Sequence, residues 1–493
     1  MVPGETLAAL AGVAVFAVPG AGLAEVLPGV RSLPIARRLA YGYLLGIVWT
    51  AGGLFALSHF LSVPLRPPAI LAVAGVPALA GLISRLRRGR SGQRPGRAAP
   101  RPLWEWVAIG IGIVVSLSAL AQTLYTPQTD WDGRMTWAAR AKHLRAEGTV
   151  DASVLTQPGW FVTHPWYPLL LPVAQVAVQE VTGAGDDQPF FRPLYAAFLP
   201  VWLLLIHHGA RRAGSAAAAW AVAAAALLPF PVFFNGGGAV SSYSDMPLAC
   251  FYGGALLLLL ETRPRLSTGL AAGLLLAGAV LAKAEGTPMA LAVLAIAALP
   301  VVFPWGGRPG RLRRWRLRRG PLGLAAIPPV LAMILLWSWR AGIPQSFDDY
   351  RHDFPWSNFG PEMLARIPFI YERVRFETVA MLDWGIFWSV APLVLLAGWR
   401  GLRRRSALAL LLGGAAPLAL AWFAYSVSRE PGFFVATTWN RFLVQASVPV
   451  LVVLAFALGD LLRRVPRVPA ALGGRARSGP PGPPRPVGNP PSA

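Results

Sequence analysis

Cysteine is all but missing from this chain of 493 residues: Cys250, inside an apolar run, is the only one. A single thiol excludes an intrachain disulfide framework and any cysteine metal site, and it leaves the redox compartment unread. It reads as a packing residue. Lysine is nearly as scarce. Of 45 basic residues only Lys142 and Lys283 are lysines and the other 43 are arginines, a bias expected of a GC-rich genome, which makes the two exceptions conspicuous. Acidic residues number 22, so the net charge is +23. In a soluble protein that excess would point to nucleic acid. Here the arginines gather in short segments between or after apolar runs: Arg85 to Arg101, Arg308 to Arg319, Arg400 to Arg405, and Arg463 onward. That is the positive-inside pattern of a membrane protein; it assigns those segments to the cytoplasm and removes nucleic acid as a partner.

What the chain has in abundance is hydrophobic sequence, 55% against 14% charged, in runs of about 20 residues, the length that spans a bilayer core. This predicts an all-α polytopic membrane protein. Residues 7–27 are preceded by Glu5 rather than by basic residues, so they read as a retained span with its N-terminus outside, not as a secretory signal. Spans at 39–61 and 68–84 complete an N-terminal three-span module, residues 1–103, ending in the Pro/Gly-containing arginine segment. Further spans are expected at 104–124, 190–208, 215–233 and 246–260, twice between Leu266 and Phe303, and at 321–340, 377–399, 407–425 and 441–462. The total is about 13 transmembrane helices. Residues 104–462 form the core, and the Pro/Arg-rich residues 463–493 read as a disordered cytoplasmic tail. The run from Tyr167 to Val181 is kept out of the count. Counting it would put Arg211 and Arg212 outside, and it carries Gln175, Gln179 and Glu180, so a juxtamembrane or re-entrant helix on the outer side is expected.

This topology gathers the remaining polar groups at the outer face. The first large outer loop, T-P-Q-T-D-W-D-G-R-M-T-W-A-A-R-A-K-H-L-R at 126–145, carries Asp130 and Asp132. Beyond Gly133 the spacing of Trp137, Ala141 and Leu144 predicts a helix lying on the membrane surface. H-P-W-Y-P-L-L-L-P, with His164, closes the loop. The loop from Asn235 to Asp245 adds Tyr243 and Asp245, and the turn Lys283-Ala284-Glu285-Gly286 adds Lys283 and Glu285. A later outer segment holds Asp348, Asp349, Arg351, His352, Asp353, Glu362 and Arg366. Because the cytoplasmic loops hold little but arginine, an active site would be outside. Soluble nucleotide sugars and ATP are cytoplasmic, so such a site needs a membrane-borne activated donor.

The ordered motifs W-D-G-R-M-T-W-A-A-R-A-K, H-P-W-Y-P-L-L-L-P, Y-S-D-M-P-L, L-A-K-A-E-G and T-T-W-N-R-F-L-V-Q-A-S-V-P, spread over residues 104–462, resemble those of bacterial integral-membrane glycosyltransferases of the GT-C superfamily. These are relatives of the protein O-mannosyltransferases and the lipid A aminoarabinose transferases. The resemblance implies a GT-C-like core whose large first extracytoplasmic loop carries juxtamembrane helices. It implies transfer of a sugar from a polyprenyl-phosphate carrier to a lipid, glycan or protein acceptor at the outer face of the bacterial inner membrane. An acidic residue of the first outer loop then acts near the acceptor, and basic groups hold the lipid phosphate. A carboxylate can serve as general base to a hydroxyl, and a cation beside the phosphate neutralises charge that grows as the glycosidic bond breaks. Where the mannosyltransferases usually have adjacent acidic residues this chain has D-W-D, so both aspartates stand as candidate bases, Asp130 before Asp132.

Lys283 is the expected donor-phosphate cation by that resemblance. Arg441 and Arg192, at the outer ends of spans against the positive-inside trend, are expected beside an anion. His164, Tyr243, Asp245 and Glu285 are the candidate substrate-binding residues. Each has a structural reading as well. Asp132 and Asp245 can cap helices, Lys283 can simply pair with Glu285, His164 can hold its turn, and the Trp and Tyr residues from 125 to 167 suit an interfacial belt more than a sugar-stacking platform. Acidic residues alone specify no divalent ion, so a metal stays open and no cofactor is assigned. A lipid-linked saccharide transporter, or a non-catalytic envelope-assembly protein, is the rival reading. A transporter should line a path through the bilayer with charge, whereas these charges cluster at one face.

Overall fold

The structure is a computed structural model that describes residues 3–88, 101–157, 164–184, 188–228, 237–261, 265–302, 310–343, 357, 359–380, 384, 386–428 and 430–464. Asn235, Arg308, Asp348, Asp349, Arg351, His352, Asp353, the stretch 89–100 and the tail from 465 lie outside the described residues. Helix forms where the sequence runs apolar, because a backbone N–H or C=O left unpaired in hydrocarbon costs several kcal/mol and a helix satisfies both within one segment. Among the described residues there is no strand.

Among the described residues eight helices are long and apolar enough to cross a membrane: Gly4–Val26, Ile35–Leu61, Pro67–Arg87, Leu103–Tyr125, Pro193–Ala210, Gly320–Arg340, Ser406–Val427 and Pro431–Arg464. Five shorter apolar helices of 10–17 residues accompany them: Ser215–Ala226, Asp245–Leu259, Leu266–Ala282, Gly286–Leu299 and Phe387–Ala397. The protein is therefore a polytopic helical membrane protein. The run at 167–181 forms a helix of its own, Leu170–Thr182, largely buried. The two helices expected between Leu266 and Phe303 do turn at Lys283, which is extended between them (φ −157°, ψ 155°).

Two segments depart from expectation. The stretch 377–399 begins with a π-helical turn, Phe376–Ala380, separate from Phe387–Ala397. Glu377 lies in that turn, 5% exposed and paired with Arg373 at 2.7 Å, and a buried charge pair suits the membrane boundary rather than its centre. The last span starts ten residues earlier than the hydropathy indicates, because Pro431–Arg464 is one helix of 34 residues. Within it Thr437 and Thr438 return their hydroxyls to the Phe433 and Phe434 carbonyls, at 2.9 and 2.7 Å. Arg441 consequently sits inside a helix and not at its outer end.

The N-terminal helices are packed into the rest of the bundle. Tyr43 Oη donates to the Leu194 carbonyl at 2.9 Å, Tyr41 Oη meets His208 Nδ1 at 3.2 Å, and the Gly29 N–H donates to Ser267 Oγ at 2.9 Å. At the centre lies Asp245–Leu259, buried in all of its 15 residues. The bundle has two unlike ends. At one, the arginine segments meet: Arg38 and Arg88 share Glu25, Arg212 and His208 share Glu261, and Arg404 and Arg463 donate to the Arg212 and Ala213 carbonyls. At the other end are the loops that carry the candidate residues.

Helix length sinks those residues below the surface. Asp245–Leu259 has 15 residues and so is about 22 Å long, against about 30 Å of hydrocarbon. Pro431–Arg464, by contrast, is about 51 Å long. Asp245, heading the short helix, is fully buried among taller elements.

Candidate functional site

Asp245 is covered by two loops that approach at a glycine. A Cβ on Gly133 would collide with the Gln128 side-chain amide and with the Ser241 carbonyl, and Gln128 Nε2 donates to that same carbonyl at 3.0 Å. The D-W-D-G loop thus lies directly on the loop that leads to Asp245. Gly237, at φ +105°, makes the corresponding turn on the other side, and a Cβ there would press on Asp245 and Arg441 at 3.2 and 3.3 Å. Ser242 and His164, both in loops at this end, also have positive φ, 56° and 50°. Non-glycine residues adopt that region rarely and at a cost.

From Asp132 the chain runs as a π-helical segment, Asp132–Ala138, into Ala139–Glu147. Asp132 does not cap this segment: the capping position is Trp131, with no side-chain cap. Its carboxylate instead accepts from Arg441 Nη1 at 2.7 Å, and its backbone N–H donates to the Tyr243 hydroxyl at 3.1 Å. The Arg441 guanidinium lies over the Tyr243 ring, 4.9 Å from the centroid, and its Nε donates to Asp245 Oδ2 at 3.0 Å. Asp245 is no cap either, since Ser244 holds that position. Asp245 Oδ1 accepts from Lys283 Nζ at 2.7 Å and from Gln445 Nε2 at 2.6 Å. Lys283 Nζ also pairs with Glu285 Oε1 at 2.9 Å.

Six of the nine expected residues, Asp132, Tyr243, Asp245, Lys283, Glu285 and Arg441, are therefore linked in one chain of contacts. The protein draws them from four separate stretches. Asp245 has no exposed side-chain surface, Lys283 shows 3%, and Asp132 and Glu285 show 25% and 21%. The network thus has a sealed centre and two partly open carboxylates at its rim. Charges taken from water require close, well-hydrogen-bonded counter-charges, and here Lys283 and Arg441 each have two.

Asp130 and Arg192 adjoin this chain. Arg192 is buried and donates from Nη1 to the Thr126 carbonyl and from Nη2 to the Val240 carbonyl, the latter at 3.2 Å. It fastens the two site loops together. The Asp130 carboxylate has no ion pair among the described residues. Burial raises its pKa above the ordinary value and the neighbouring Asp132 charge adds to the rise, while its own backbone N–H and Arg192 pull the other way without prevailing. The Tyr243 hydroxyl is likewise pushed up, by burial first and by Asp132 next. His164 belongs to another group: its ring stacks on Tyr167 at 4.9 Å and stands edge-on to Trp166 at 5.4 Å.

Sequence reading missed Gln445 and Gln128, which respectively bind Asp245 and join the loops. Gln445 carried a signal, a polar side chain four residues after Arg441 within an apolar run. Glu285 Oε2 and Gln445 Oε1 are buried without a hydrogen-bond partner. Among the described residues no group of three or more His, Cys, Asp or Glu side chains is placed to hold a metal ion. No family model, no curated protein and no solved structure matches the chain.

Proposed function

We propose that this protein is an integral-membrane glycosyltransferase of the GT-C kind. In this reading it moves a sugar from a polyprenyl-phosphate carrier to a lipid, glycan or protein acceptor at the extracytoplasmic face of the bacterial inner membrane. The eight long and five shorter apolar helices are then all crossings, as the arginine pattern requires. One observation carries the reading: the end of the bundle opposite the arginine segments holds two clustered cations with a carboxylate, Asp130, left outside the ion pairs among the described residues.

Asp130 is the base in this scheme. A carboxylate with raised proton affinity that is free of a cation is a better acceptor for the acceptor hydroxyl's proton than Asp132, which is bound to Arg441. Asp245 is the fixed anchor that holds Lys283 and Arg441 together. The carrier phosphate approaches these two cations by displacing the rim carboxylates, Asp132 and Glu285, whose side chains are partly exposed. Charge that grows on the phosphate as the anomeric bond breaks is met there. Glu285 Oε2 and Gln445 Oε1 are acceptors available to sugar hydroxyls. Attack of the acceptor oxygen on the anomeric carbon, with loss of its proton to Asp130 and departure of the carrier phosphate, completes a single displacement.

The concentration of charge at the site end favours this reading over a transporter, which needs charge along a path through the bundle. The test is transfer from polyprenyl-phosphate sugars in membranes bearing Asp130→Asn or Asp132→Asn. Asp130→Asn is expected to lower the rate by about 10²–10⁴ with no loss of stability. Full activity in both variants would end the proposal.

A further inference from the structure

The two guanidinium groups that grip the H-P-W-Y turn, Arg140 and Arg340, have no carboxylate partner among the described residues. Arg140, on Ala139–Glu147, is 0% exposed. Its Nε donates to the Thr136 carbonyl and its Nη1 to the Tyr167 carbonyl, each at 2.7 Å, and the group lies over the Trp137 ring, 4.7 Å from the centroid. Arg340, which ends the Gly310–Arg340 helix, donates from Nε to the Trp166 carbonyl at 2.8 Å. Two arginines on two helices thus grip successive carbonyls of the single turn H-P-W-Y. They are close enough for the charge on Arg340 to act on Arg140. Nη2 of each is buried without a hydrogen-bond partner, and so is the indole Nε1 of Trp137.

This differs from the neighbouring network, where every cation has two carboxylates. Carbonyl dipoles satisfy some of the N–H groups here but bring no net negative charge. An ion removed from water without counter-charge costs several kcal/mol, and two like charges near each other add to that cost. Burial draws the Arg140 pKa down to about 9, so the group remains a cation at neutral pH. The pair is therefore built to receive a negative group.

We propose that Arg140, Arg340 and the Trp137 indole form a phosphate-binding site beside the H-P-W-Y turn. Phosphate suits them better than carboxylate because it offers oxygens in several directions to donors on separate elements, and because a guanidinium meets it through paired N–H groups. Arg340 is only part buried, so entry is from its side, along the aromatic group of His164, Trp166 and Tyr167. The site does not depend on the sugar-transfer reading, since a transporter or an assembly protein with this turn would bind phosphate equally.

The full chain in nanodiscs of phosphatidylcholine tests this, with thermal unfolding followed against two probes: inorganic phosphate in solution and phosphatidic acid in the disc. The wild type is expected to melt higher with at least one. A response to phosphatidic acid alone assigns a lipid headgroup, and a response to inorganic phosphate assigns a soluble anion. Arg340→Gln, at the open edge of the site, is expected to weaken the response at least tenfold, and Arg340→Lys to restore part of it. Arg140→Gln should behave like Arg340→Gln where it folds, and Arg404→Gln at the opposite end should respond as the wild type does. The proposal fails if neither probe stabilises the wild type, or if Arg340→Gln responds as strongly as the wild type.

Discussion

The two ends of this bundle hold charge in opposite ways. At the arginine end, pairs such as Arg212 with Glu261 and Arg38 with Glu25 are partly exposed and each acid serves its immediate neighbours. At the site end, Asp132, Asp245, Lys283, Glu285 and Arg441 form one connected group around a carboxylate with no exposed surface. The first arrangement tolerates loss of a member because water replaces it. In the second, each member is the solvent of the others, so removing one strands the rest.

Exchanging the central acid at each end should break the comparison most sharply. Asp245→Asn leaves Lys283 and Arg441 short of counter-charge and should cost about 3–5 kcal/mol, whereas Glu261→Gln, at a site that water can reach, should cost less; denaturation in detergent measures both. Equal losses would mean that the network is not the tighter structure. Gly133→Ala should come next, at about 1–3 kcal/mol, because the added methyl forces the two site loops apart.

Acid should separate the ends as well. Burial opposes ionisation of Glu261, but the His208 hydrogen bond and Arg212 outweigh it and bring the group down to about 2. Its contribution to stability is complete above its unfolded value, about 4.3, and is lost as pH falls toward about 2. Asp130 has the opposite shift: its ionised form is disfavoured in the fold, so the stability linked to its protonated form is present at low pH and is lost as pH rises through its raised value. Arg192→Gln removes a charge that favours ionised Asp130. It should therefore move the acid limb of the proposed transfer upward, as pH–rate profiles would show. The smallest effect belongs to Arg404→Gln, within about 0.5 kcal/mol.

Much of this could be read from the sequence because hydrophobic run length and arginine placement are local signals. The turn at Lys283 and the separate helix at Leu170–Thr182 follow from charge and proline at definite positions. The proximity of Asp132, Asp245, Lys283 and Arg441 followed only from their common face, since pairing across 309 residues, as between Asp132 and Arg441, leaves no mark in either segment. Three things were hidden for physical reasons. The π-helical start at Asp132 has no simple periodicity. The early beginning of Pro431–Arg464 falls on a stretch with two threonines and an asparagine, Thr437, Thr438 and Asn440, where hydropathy gives no sign of a span. The burial of Arg140 could not be told from a solvated helix face, because its partners are backbone carbonyls of a distant turn.

Asp245 and Lys283 are 38 residues apart, while Asp245 and Arg441 are 196 apart. A ribosome working at about 5–20 residues per second needs about 10–40 s to cover the longer interval. For most of that time Asp245 has Lys283 as its partner, itself paired with Glu285, but neither Arg441 nor Gln445. Once Lys283 has followed Asp245 into the membrane, the half-made protein holds the acid beside a base, and the last helix closes a site whose first pair is already joined.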